Sequence, residues 1–306
     1  MPQATSVSAS QNNAAHRPAG WGRWGDDDER GALNTLGPAA LTRGMACVTE
    51  GRSLSLTAPV VPGRGTGAVG RPDPAHFMLR DGGDYAAGHP ERGGFAFADD
   101  VIQIPTHGVT HFDALSHVWR DGLMYNGHPA SAVSSRGARR LGIETAGPVV
   151  TRGVLVDLVP AAASWLPGST SVGVDELRAL LDRTGVTLES GDALLVRTGW
   201  LEAWQQGQNT DGVWPGLDAD CAEWLSEQDL SVLGADNIGV EAYPSSDPEC
   251  QVPLHLALLR GHGVFFCELM ALAELAASGR STFLFVANPL PVAGGVGGPV
   301  CPVAIL

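Results

Sequence analysis

The stretch PTHGVTHFDALSH, residues 105–117, places His107, His111, Asp113 and His117 at intervals of four, two and four residues. All four positions are odd, so along an extended strand their side chains leave on the same face. A helix would not do this: Asp113 lies two residues past His111, about 200° around, and faces away. A fully straight strand would separate His107 from Asp113 by about 20 Å, too far for one ion, so a bend near Gly108 is required. Two neutral imidazoles and a carboxylate suit Zn²⁺ or Mn²⁺, and three protein ligands leave positions open for water and substrate. Open coordination implies catalysis. A single histidine more often satisfies a local hydrogen bond, but four such groups in register after the apolar start VIQIP (101–105) favour a metal site.

Composition narrows the chemistry further. All 19 basic residues are arginine, and the absence of lysine removes Schiff-base catalysis, pyridoxal-phosphate attachment, P-loop nucleotide binding and Ser-Lys nucleophiles. With 33 acidic residues and a net charge of −14, a phosphate-backbone partner is disfavoured and a small-molecule substrate is expected. The five cysteines form no C-x-x-C pair and are odd in number, which fits a cytoplasmic protein without a disulfide framework or zinc ribbon. A hydrolase built on Cys267 or Cys301 is disfavoured, because Cys267 lies within an apolar run and reactive thiols need an electropositive, accessible setting. No apolar run approaches the roughly 20 residues that span a bilayer, so no membrane is expected.

The elements that must hold the histidines follow from patterning. Residues 1–20 read as a loose, disordered tail without the features of a secretory signal, and residues 21–306 as one domain. Acidic residues 26–29 suit the first turn of a short helix that Gly31 limits. Residues 58–100, rich in Gly, Pro and Asp, read as a long excursion rather than a packed element. From residue 150 the pattern sharpens. Strands are expected at 153–159, 193–200, 230–236, 264–269 and 282–288, and helices at 174–185, 218–228, 253–261 and 271–279. This alternation predicts an α/β layer architecture. The glycines of GGVGGPVCPVAIL (294–306) invite a dinucleotide reading, but Pro299 and Pro302 block the helix such a motif must open; a backbone passing close to other structure is expected instead.

HGVTHFDALSH followed by GLMYNG (122–127) resembles the signature of the metal-dependent cyclase superfamily, which includes kynurenine formamidase and isatin hydrolase. The resemblance extends through WGRWGDDDERGALN (21–34), GDALLVRTGW (191–200), ADNIGVE (235–241), PLHLALLRGHGVFFCELMAL (253–272) and GGVGGPVCPVAI (294–305), with Val109 and Leu115 departing from the formamidase pattern. It implies an α/β fold of the swivelling β/β/α type with a mixed sheet, assembled as a homodimer or homotetramer. His107, His111 and Asp113 would be metal ligands, and His117 the acid/base beside them. His255 and Glu268 would join as ligands or as their supports, around one or two divalent ions, Zn or Mn. Standing alone, His255 on an apolar helix reads as a core histidine, whereas a carboxylate in so apolar a strand as that of Glu268 wants a cation.

The resulting expectation is a metal-dependent hydrolase of an amide-type C–N bond in a small, cyclic or aryl, amide. Ring closure of a polyketide at the same site and a non-catalytic binding protein stapled by metal are the alternatives. Phe77 and Tyr125, with other aromatics of the excursion, are candidates to wall an apolar substrate pocket. Trp21 and Trp24 would either reach a neighbouring subunit's pocket, as N-terminal segments of that superfamily do, or anchor the tail.

Overall fold

A computed structural model of the chain describes residues 17–66, 68–91, 93–208 and 212–306. Most of the expected tail, residues 1–16, therefore lies outside the described residues, while Gly20 already packs so closely on Gly261 that a Cβ there would come within 2.5 Å of the Gly261 carbonyl.

Nine strands form one mixed sheet. In chain order they are β1 (Ser53–Ser55), β4 (His111–Asp113), β5 (Val149–Asp157), β6 (Ala193–Arg197), β7 (Val232–Ala235), β8 (Phe265–Glu268), β9 (Thr282–Ala287), β10 (Gly297–Pro299) and β11 (Val303–Ile305). β2 (Ala75–Arg80) and β3 (Asp99–Gln103) make a separate hairpin. The spatial order is β1-β11-β9-β5-β6-β7-β8-β4-β10. β5 through β8 run parallel, and every other pairing is antiparallel. Parallel strands are covered on both faces, which is why β6 to β8 are almost continuous apolar runs of buried residues. β10 and β11 lie towards opposite ends of this order, yet only residues 300–302 join them. Since the step from Pro299 to Val303 reaches at most about 14 Å, the sheet must curl until its two ends meet.

The helices are few. α1 (Pro38–Met45) packs on β5, and α2 (Val174–Thr184) buries Leu177 and Leu181 before ending on Gly185 in the left-handed conformation. α3 (Trp200–Gln205), α4 (Cys221–Ser226) and α5 (Ala273–Ala277) complete the α-helices that alternate with strands. The segment expected as a helix at 253–261 is a wide π-helical turn over His255–Leu259 that continues as Arg260–His262. None of the described helices is long and apolar enough to cross a membrane.

Two local expectations change. Gly31 opens a 3₁₀ turn, Gly31–Thr35, instead of ending a helix: the Asp28 carboxylate accepts from the Gly31 and Arg30 amides, and Gly31 lies so close to Gly263 that no Cβ fits. The excursion is not wholly irregular, since it contains the β2–β3 hairpin, whose faces are open to solvent.

Candidate metal centre

β4 alternates as a strand must. Phe112 points into the core, fully buried with its ring centroid 6.5 Å from that of Phe265, while His111 and Asp113 leave on the opposite face. Antiparallel pairing sets Glu268 of β8 directly across from His111, and Gly297 of β10 across from Asp113. The required bend is the turn at Pro105–Gly108, closed by the Gly108 amide donating to the Pro105 carbonyl at 2.9 Å. It returns His107 toward Asp113. Arg71, from the excursion, donates to the His107 carbonyl at 2.8 Å.

His107 Nε2 is 3.3 Å from Asp113 Oδ1, and His111 Nε2 is 3.2 Å from the same oxygen. His255 Nε2 is 3.4 Å from Asp113 Oδ2 and from Glu268 Oε1, and Glu268 Oε2 is 3.4 Å from His111 Nε2. Asp113 thus faces His107 and His111 with one oxygen and His255 with the other. His117 stacks on His107 at 4.1 Å between centroids, and a nitrogen of each ring lies within 4.8 Å of an Asp113 oxygen. His117 is partly exposed; the other five side chains are buried.

The donor set fits a divalent ion. His111 donates Nδ1–H to the Val109 carbonyl at 2.8 Å, which leaves Nε2 aimed at two carboxylates. Among the described residues His111 Nε2, both Asp113 oxygens and Glu268 Oε1 are buried without a hydrogen-bond partner. Buried polar atoms are rarely left so, and converging lone pairs repel unless a cation or protons lie between them.

Burial opposes charge on every ring. It dominates at His107, with His117 and His111 adding, and carries that pKa down to about 3. It also lowers His117. At His111 burial is outweighed by Asp113 and then Glu268, and at His255 by Glu241 and Asp113, so both are raised. Burial would raise the Asp113 carboxyl, but His117, His111 and His255 hold it well below the usual range.

The glycine-rich segment passes close by, as expected. A Cβ on Gly297 would sit 2.5 Å from His107 Nε2, so only glycine leaves room for that ring. Glu241, a buried carboxylate that accepts from His255 Nδ1, is not marked by its local sequence. It lies within ADNIGVE, but its role depends on a contact with a residue 14 positions away.

The aromatic candidates lie elsewhere. Tyr125 is fully buried, its hydroxyl donating to Asp28 at 3.0 Å, so as a correction its ring has no face open to a substrate. Phe77 stands on the hairpin with 55% of its surface exposed. Trp21 donates Nε1–H to the Arg260 carbonyl at 2.8 Å beneath that residue's guanidinium, and Trp24 lies under the guanidinium of its chain neighbour Arg23.

Residues 51–242 match a family model, Cyclase, described as "Putative cyclase". The chain belongs to the Cyclase family. A crystal structure of a novel cyclase is 35% identical, covering 95% of this Cyclase-family chain and 100% of its own, with a TM-score of 0.86. Isatin hydrolase A from Ralstonia solanacearum is 22% identical over 87% of this chain and 95% of its own, at a TM-score of 0.61. An isatin hydrolase bound to the product analogue thioisatinate is 18% identical over 89% and 99%, also at 0.61. These two share the Cyclase fold. No curated protein sequence matches.

Proposed function

We propose that this Cyclase-family chain is a metal-dependent hydrolase of an amide-type C–N bond in a small cyclic or aryl amide. The observation that carries the reading is the set of buried, unpartnered atoms converging from His111, Asp113 and Glu268. His107, His111 and Asp113 would hold one ion; His255 and Glu268 would hold a second or brace the first. Bound there, Zn²⁺ or Mn²⁺ supplies a Lewis acid and lowers the pKa of water toward neutrality. His117 has its pKa pushed below 6.5 by burial and is therefore neutral near pH 7. It can take a proton from the attacking water and return it to the departing nitrogen. The likeness to isatin hydrolases supports the substrate class. The substrate is a small molecule, and the working assembly is a homodimer or homotetramer in the cytoplasm.

Chelator-stripped chain, reloaded with Mn²⁺ or Zn²⁺, is expected to turn over members of a panel of lactams and formamides, each product heavier by one water. His117→Ala should abolish turnover while retaining metal, whereas His111→Ala should lose both. Full activity in either variant would overturn the reading. A second reading, ring closure of a polyketide with His117 as base, is supported by a 18%-identical structure described as a potential metal-dependent hydrolase with cyclase activity. It predicts products that have not gained water.

A further inference from the structure

Glu241 is buried, and both of its oxygens are committed: Oε1 accepts from His255 Nδ1, and Oε2 accepts the Leu254 amide at 2.6 Å. With Nδ1–H spent on Glu241, the lone pair of His255 lies on Nε2, which faces Asp113 and Glu268. The other tautomer would turn a lone pair onto the Glu241 carboxylate, a repulsive contact in a buried setting.

The backbone that delivers Glu241 is strained. Val240, β-branched and buried, has φ +62°, a region such residues avoid. Asn237 holds it there: its side-chain oxygen accepts the Val240 amide at 2.9 Å, and its amide group donates to the Val240 carbonyl at 3.2 Å and the Pro215 carbonyl at 2.6 Å. The Asn237 carbonyl also accepts the amide of Leu269 at 3.1 Å, and Leu269, next to Glu268, has φ +56°. One buried asparagine therefore fixes the unfavourable residues beside both carboxylates. The Glu241 carbonyl accepts from Trp214 Nε1 at 3.1 Å, and Gly216 approaches so closely that a Cβ would fall 2.4 Å from the Glu241 carbonyl carbon. Strain held by several independent contacts marks a place where position matters.

We propose that Glu241, presented by the Asn237–Glu241 turn, is a positioning residue that orients His255 and fixes its tautomer for the divalent ion. The inference rests on the metal reading above. Carboxylates behind a ligating histidine typically contribute 10–100-fold in metal affinity.

The test is calorimetric titration of Mn²⁺ and Zn²⁺ into the chelator-stripped full chain, wild type and Glu241→Gln. Glutamine keeps the shape but loses the charge, and cannot accept from both Leu254 and His255. The expected result is a 10–100-fold loss of affinity with the metal-free melting temperature held within a few degrees. Unchanged affinity in the folded variant overturns the proposal, whereas a wild type that binds neither metal overturns the metal reading itself. Should the variant fail to fold, ¹⁵N spectra of histidine-labelled, metal-loaded wild type decide. His255 protonated on Nδ1 alone supports the assignment, and a proton on Nε2 overturns it.

Discussion

Asp113 and Glu268 sit in the same buried space as three imidazoles, and the rings differ in what they bring to an ion. Near neutral pH His107, at about 3, is a neutral imidazole, and Asp113, held below the usual range, is ionised. His111 and His255 are raised above 6.5 by their carboxylates and must release protons when a cation arrives. The sign follows: affinity should rise with pH through the raised pKa values of these two rings, and binding should release protons. Titrations in buffers of differing ionisation enthalpy would show it, and a pH-independent affinity between about pH 6 and 8 would contradict it. At this scale much was legible, because His107, His111, Asp113 and His117 declare themselves by spacing within 11 residues. Glu241 was not legible, since nothing local distinguishes it until the fold sets it against His255. Tyr125 misled for the converse reason. An aromatic beside the motif reads as pocket wall until its hydroxyl is found on Asp28.

β4 is three residues long, and its register is set from both sides by β8 and β10. Phe112 anchors it between the two ligand candidates, so the strand's stability and the direction of its polar face are coupled. Phe112→Ala is expected to cost about 3–5 kcal/mol of unfolding free energy by chemical denaturation, and a loss below about 1 kcal/mol would show that the pairing alone holds β4. Strands β5 to β9 and α2 were readable because buried strands are apolar throughout and α2 keeps a helical stripe closing on Gly185, whereas α3, β10 and β11 were not, being short and without a period of their own. The β2–β3 hairpin was not, because neither face is buried and no alternation marks it. Residues 26–29 misled in a third way, since Asp28 caps a turn from outside rather than opening a helix from within.

The mixed sheet expected from the family resemblance is present, and the β2–β3 hairpin beside it exposes apolar side chains. Phe77 and Val101 are partners on one face of the hairpin, 55% and 45% exposed, and Leu79, at the irregularity next to them, is 64% exposed. A two-stranded hairpin is marginal by itself, and a contiguous apolar patch usually meets a partner. If a second copy supplies that cover in the proposed assembly, sedimentation should give at least twice the chain mass, and Phe77→Asp should reduce it to one. A monomeric wild type would refute the assembly. At the far end of the chain, residues 300–302 act as the clasp of a bracelet. One strand beside the clasp leaves room for His107, and the other belongs to the opposite end of the sheet. A single proteolytic nick between Pro299 and Val303 would therefore free both sides of one seam, and metal affinity and the unfolding midpoint are expected to fall together.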